Sequence, residues 1–251
     1  LIDETQVDEY RGRGYALVRG LFAPEEAAAW AAESERLLRL CFAREGDARG
    51  VVYRTPGGLA VVDHLSPVID VSPAFAALAA DPRLAGALRR FCGREMRLFK
   101  DKLIFKMPGL PGYPLHQDYS SWQEFPPGLV NAVVAVDAAD EENGSVEFFP
   151  GRHDRLLSAA GELRHMNAEE ARQLDTSAGE VLRTEPGDLV VFHSLTPHRS
   201  GVNRSGRLRR QLYFTYSPAE HGDLYGAQLE FAARWRERAA RRRAAAEEAA
   251  R

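Results

Sequence analysis

His116 and Asp118 flank Gln117, and a second imidazole, His198, follows His116 after 82 residues in the segment that runs through Ser200 to Arg209. On extended backbone, residues two apart project from the same face, so the His116 and Asp118 side chains can reach one ion. Two His and one Asp hold one face of an octahedral Fe(II), leaving three positions for a bidentate 2-oxo acid and dioxygen. A guanidinium eleven residues past the last imidazole can grip the far carboxylate of such an acid, because its planar pair of donors matches a carboxylate and an ammonium does not. The residue types therefore name a metal, a co-substrate and a gas: Fe(II), a 2-oxo diacid and O2.

His-x-Asp alone carries little weight, since chance supplies it often; the second His and the Arg at fixed offsets make the set informative. His193, at the end of an apolar strand, is the rival third nitrogen to His198, and the residues alone leave both open. His64, His153, His165 and His221 lack companion ligands in their local sequence and are assigned to surface or hydrogen-bonded core roles. Four arginines compete for the clamp. Alternation favours Arg209, which shares a polar strand face with Gln211, Tyr213 and Thr215, whereas Arg210 shares the other face with Leu212, Phe214 and Tyr216. Arg204 and Arg207 read as a solvated basic turn. Lys102 is a candidate second donor to the co-substrate, with ordinary exposure as the alternative.

These residues lie in a chain that resembles the phytanoyl-CoA dioxygenase (PhyH-like) branch of the Fe(II)/2-oxoglutarate-dependent oxygenases. The likeness begins at Tyr10–Phe22, continues through Pro114–Asp118 and Phe149–His153, and ends in Gly187–His193 with the His198–Arg209 segment. The resemblance implies that His116, Asp118 and His198 are the iron ligands and that Arg209 binds the distal carboxylate of 2-oxoglutarate. Ser200 and Gln117 fall where the family contacts the co-substrate. Halogenating relatives carry a small residue at the carboxylate position, so Asp118 disfavours halogenation. What the resemblance implies is a small-molecule oxygenase that couples conversion of 2-oxoglutarate to succinate with hydroxylation or oxidative cyclisation.

The residues after the motif bear on the substrate. Tyr119 and Trp122 can stack on a ring, while neighbouring Ser, Gln and Glu side chains can bind hydroxyls or amines; the alternative for Trp122 is packing at a barrel edge. Members with this type of core form spiro-orthoester linkages in orthosomycin and hygromycin B pathways, which points to a specialised metabolite such as an antibiotic glycoside. The alternatives are a phytanoyl-CoA-type acyl hydroxylase, a cupin-like metal-binding module without oxygen chemistry, or a metal-dependent isomerase or hydrolase, the last leaving the guanidinium unexplained.

The elements that must position these groups change character along the chain. Up to about residue 95 it reads as helical around one or two short strands. Pro24 and Asp81-Pro82 open helices whose buried stripes are Trp30, Leu37, Leu38 and Leu40, and Leu84, Leu88, Phe91 and Cys92. Residues 50–54 and 59–64 read as short strands around a Pro56-Gly57-Gly58 turn, able to form a flap over the site. From about 96 to 218 the period is two. Leu98, Lys100, Lys102, Ile104 and Lys106 suggest a wet strand face and Phe99, Asp101, Leu103, Phe105 and Met107 an oily one. Further strands are expected near 129–137, 145–149, 179–183, 188–193 and 209–217, in a mainly β jelly roll, a cupin-like double-stranded β-helix with flanking α-helices and ligands at its mouth. An Ala-, Glu- and Arg-rich helix over about 226–250 is expected to be solvated.

At 251 residues, with 45% apolar and 27% charged residues, the chain fits one domain spanning 1–251. A net charge of -3 and a pI near 6.2 give no electrostatic footprint for nucleic acid. Cys41 and Cys92 lack metal spacing and make no disulfide framework, which fits a reducing cytoplasm. No apolar run has the length of a membrane span or of a signal peptide's hydrophobic stretch.

Overall fold

The computed structural model describes residues 2–43, 50–54, 60–158 and 165–249. In chain order its elements are α1 (Glu4–Arg13), β1 (Tyr15–Val18), α2 (Pro24–Ala43), β2 (Gly50–Arg54), β3 (Ala60–Leu65), α3 (Pro73–Ala79), α4 (Pro82–Cys92) and β4 (Met96–Lys106). They continue with β5 (Val130–Ala135), β6 (Val146–Phe148), α5 (Ala168–Ala171), β7 (Glu180–Val181), β8 (Leu189–His193), β9 (His198–Ser200), β10 (Arg209–Pro218) and α6 (Tyr225–Ala249). Seven strands form one antiparallel sheet in the order β1-β8-β5-β10-β4-β3-β2, and β7-β6-β9 form a second. The two sheets make a jelly roll.

The period-two strands explain which side chains face which layer. On one face of the large sheet Leu103, Phe105, Ala132, Val134, Leu189, Val191, Leu212 and Phe214 join a cluster with Val7 and Tyr10 of α1, Leu37 and Leu38 of α2, Phe75 of α3 and Leu84 and Leu88 of α4. Each large side chain buried there contributes roughly 1.5–3 kcal/mol relative to exposure. On the other face Ile104, Val133, Val190, Phe192 and Tyr213 meet Val146 and Phe148 of the small sheet. The face of β4 that carries Lys100, Lys102 and Lys106 thus points into the jelly roll, not to bulk water. Asp101, on the oily face, is buried; its carboxylate accepts hydrogen bonds from the Val68 and Ile69 amides and the Tyr225 hydroxyl.

The helices start and stop where their caps dictate. Asp3 and Gln6 form a reciprocal capping box on α1, Ser72 caps α3 ahead of Pro73, and Asp81 caps α4 ahead of Pro82. α1 ends at Gly14, whose φ of +84° and contact with the His153 ring and Thr196 hydroxyl suit no larger residue. Trp30, Leu37 and Leu38 are buried on α2 as expected, but Leu40 is among the exposed large hydrophobics and Cys41 takes the inward place, four residues after Leu37.

Two other expectations are corrected. The β2–β3 pair is no separate flap: β3 bonds to β4 through His64↔Ile104 and Leu65↔Leu103 and extends the large sheet. Leu59 and the Pro56-Gly57-Gly58 turn lie outside the described residues. Nor is α6 merely solvated, because Tyr225 bonds Asp101, Gln228 is buried and Phe231 packs edge-on against Phe125. No described helix is long and apolar enough to cross a membrane.

Candidate metal centre and co-substrate cavity

β9 brings the distant segments together. The His116 amide bonds the His198 carbonyl and the His198 amide bonds the His116 carbonyl, each at 3.0 Å, an isolated antiparallel bridge at the edge of the small sheet. Gln117 is extended (φ -119°, ψ 127°) and a 3₁₀ turn begins at Asp118. The carboxylate is thereby delivered between the rings, with Oδ1 3.6 Å from His116 Nε2 and Oδ2 3.9 Å from His198 Nε2. Ligand atoms of His116, Asp118 and His198 all lie within 4.8 Å of one another, the one such group of three or more among the described residues.

The imidazoles are oriented for metal. A carbonyl oxygen can only accept, so the contacts of His116 Nδ1 with the Pro114 carbonyl (2.8 Å) and of His198 Nδ1 with the Thr196 carbonyl (2.9 Å) put the proton on each Nδ1. Each Nε2 is left with its lone pair facing Asp118. Burial, then the nearby His116 ring, pushes the His198 pKa down to about 4, so this ring is neutral at pH 7. Burial works to raise Asp118, but its basic neighbours His116, His198 and Lys102 outweigh it and hold the carboxyl well below the usual range. Two imidazole nitrogens and a carboxylate within reach of one point form a donor set that fits a divalent cation such as Fe(II).

Asp118 has further support that the sequence reading missed. Asn131 Nδ2 donates to Asp118 Oδ2 (2.9 Å), and the Thr215 hydroxyl donates to Asn131 Oδ1 (2.7 Å), both residues being buried. The pairing Thr215↔Asn131 between β10 and β5 sets this chain of bonds.

A cavity is lined among others by Arg209, Ser200, Lys106, Tyr113, Asp63 and Tyr213, and the Tyr113 ring lies 6.5 Å from that of His116. Arg209 is 2% exposed, its Nε has no hydrogen-bond partner, and its guanidinium meets the Gln211 amide oxygen and the Tyr213 hydroxyl. A buried guanidinium with an orphaned donor fits a carboxylate supplied from outside the chain. Ser200 Oγ accepts from the Tyr113 amide (3.0 Å) and from Lys106 Nζ (2.9 Å). Among the described residues this is where the donors suit the far end of a 2-oxo diacid.

The remaining sequence-named residues divide. Gln117 is buried and points away from the cavity, spending both N–H donors on the carbonyls of Arg155 and Leu195 while its oxygen accepts from the Leu157 amide. It ties two loops together and has no donor left for a co-substrate. Lys102 pairs in register with Tyr213, its ammonium 4.8 Å from that ring, whereas Arg209 pairs with Lys106; the cation beside Arg209 is Lys106. Trp122 is 6% exposed and edge-on to Phe99, and the Tyr119 hydroxyl is used by the Phe125 carbonyl, so both pack at the barrel edge. His193 turns toward His153, accepts from the Leu195 amide and stays outside the ligand group.

With this geometry in place, the comparison with known families is decisive: the phytanoyl-CoA dioxygenase (PhyH) family matches residues 10–211. The chain belongs to this family. A methylphosphonate hydroxylase of Gimesia maris is 38% identical over 143 residues, 57% of this chain and 52% of that protein. A 2-aminoethylphosphonate dioxygenase of an uncultured bacterium is 34% identical over 139 residues, 55% of this chain and 52% of that protein. The chain therefore spans about half the length of these curated relatives. Among solved structures, EctD from S. alaskensis with 2-oxoglutarate and 5-hydroxyectoine aligns with a TM-score of 0.74 at 21% identity, over 88% of this chain and 77% of that one, a likeness of fold. The donor set of His116, Asp118 and His198 lies within the matched span of the family.

Proposed function

We propose that this protein is an Fe(II)/2-oxoglutarate-dependent oxygenase whose substrate is a small anion of the phosphonate type. His116, Asp118 and His198 hold the metal, and Arg209 with Ser200 holds the far carboxylate of the co-substrate. When bound, iron and 2-oxoglutarate would activate O2, one oxygen atom leaving in succinate as carbon dioxide is lost and the other going to a substrate C–H bond. The chain's own share is to orient that carbon and exclude water.

The observation that carries the substrate class is the pair Lys100 and Lys102. Both project from the inner face of β4, close enough for the charge of each to act on Asp118, and neither makes an ion pair among the described residues. Burial, then the charge of Lys102, pulls Lys100 down to about 8. Two adjacent ammonium groups facing inward without a hydrogen-bonded carboxylate are costly unless an anion joins them, and a tetrahedral oxyanion offers an acceptor to each. Support also comes from the phosphonates named for the two curated relatives. Of the grounds for the glycoside reading, the stacking platform of Tyr119 and Trp122 is engaged in packing, which leaves that reading to the likeness of the core alone.

The test is succinate release from Fe(II)-loaded protein with methylphosphonate and 2-aminoethylphosphonate, against neutral glycosides and acyl-CoA thioesters. Coupled turnover of a phosphonate, weakened at least tenfold in KM by Lys100→Met or Lys102→Met, is expected. Turnover of a glycoside or acyl thioester alone returns the substrate to the specialised-metabolite or acyl class. Failure to form succinate with any substrate, together with no 2-oxoglutarate binding, defeats the oxygenase reading.

A further inference from the structure

Lys106 is 4% exposed at the end of β4, and the fold goes to some length to hold it there. Its backbone carbonyl accepts from Asn203 Nδ2 (2.8 Å), and its ammonium donates to Ser200 Oγ (2.9 Å) and to the Gly144 carbonyl (3.3 Å). Gly144 must be glycine: its φ is +75°, and a Cβ would come within 2.4 Å of the Gly201 carbonyl oxygen and 3.0 Å of Lys106 Cε. Both acceptors are neutral, and among the described residues no carboxylate pairs with the ammonium.

Lys106 is also the cross-strand partner of Arg209, and both line the same cavity. Two like charges there have no contacting counter-ion, since Asp63, the acid of the lining, is engaged by His64 Nδ1 (2.5 Å) and the Tyr113 hydroxyl. Burial, then Arg209, lowers Lys106 to about 7. A buried cation pair without its anion is unfavourable, and the compensation must come from a ligand that reaches both.

We infer that Lys106 is a second cation on the distal carboxylate of the 2-oxo acid, so that Arg209 and Lys106 together select a diacid over a mono-acid of equal length. The inference rests on the oxygenase reading above. Arg209 provides the planar fork and Lys106 a point charge from the opposite strand, with Ser200 bridging between them.

The experiment is calorimetric titration of Mn(II)-loaded protein with 2-oxoglutarate and with 2-oxopentanoate, which keeps the chain length but ends in a methyl group. Lys106→Met and Lys106→Gln are compared with the parent; Gln still donates to Ser200 and Gly144 but carries no charge. Both variants should bind 2-oxoglutarate about ten- to a hundredfold more weakly while binding 2-oxopentanoate as the parent does, compressing the preference by that factor. Equal weakening of both ligands would mean that Lys106 merely shapes the loops, and unchanged affinities would mean that it does not touch the co-substrate; either overturns the inference. Arg209→Met separates the two levels. Should it leave 2-oxoglutarate binding intact, the oxygenase reading falls; should it abolish the diacid preference while the Lys106 variants do not, only the role of Lys106 falls.

Discussion

Replacing Asn131 by Ala removes the link between Thr215 and the Asp118 carboxylate. Asn131 and Thr215 are 2% and 3% exposed, so water does not replace the lost partners, and Asp118 loses a charge-assisted bond of 2.9 Å. Removal of a group that orients a metal ligand costs about 10–100-fold in metal affinity, or ~1.4–2.7 kcal/mol. The stranded Thr215 hydroxyl and carboxylate oxygen add about 1–3 kcal/mol to the destabilisation of the metal-free protein. The two effects are separable. Competitive titration of Fe(II) or Co(II) against a chelator of known affinity gives the first, and urea unfolding of the metal-free protein gives the second. Thr215→Val, which breaks only the outer bond, should lose less metal affinity than Asn131→Ala. If folded Asn131→Ala binds metal within twofold of the parent, Asp118 is oriented by its own turn and the argument from the Asn131–Thr215 chain is wrong.

Two further outcomes follow from geometry. Gly112→Ala places a Cβ 1.6 Å from the Ser200 carbonyl oxygen, so the 110–113 segment or β9 must move; co-substrate affinity measured by titration should fall at least tenfold. With Lys100 near pKa 8, the free protein holds the full ammonium below that pH and loses it above. Affinity for a permanently ionised substrate anion should thus be flat below about pH 8 and decline as pH rises past it. A pH series of kcat/KM in which Lys100→Met keeps the same decline would assign it to another group.

The metal-ligand candidates and Arg209 were readable because each depends on short-range order: a two-residue spacing on extended backbone, a fixed offset from His198, and alternation along one strand. The contributions of Asn131, Thr215, Asp63 and Lys106 depend on the register of β5, β4 and β3 against their neighbours, which nothing in those segments encodes locally. Lys100, Lys102 and Lys106 also misled by their composition. Lysines alternating with Phe and Leu signal a solvent face in an open sheet, but a second sheet over that face turns the same pattern into a lined interior. β9 was not anticipated as a strand because three residues, His-Arg-Ser, carry no periodicity; the bonds to Phe148 and His116 create it.

The reciprocal main-chain bonds between His116 and His198 have a consequence for how this scaffold diversifies. Main-chain bonds, which only a proline would remove, fix the gap between the two rings, so neighbouring loops can be exchanged without moving the His116–His198 pair. Opening of that rung should be among the rarest local fluctuations, leaving the two amides protected from deuterium long after the surrounding loops have exchanged. New chemistries can then be reached by rebuilding the rim while the grip at its centre is inherited unchanged.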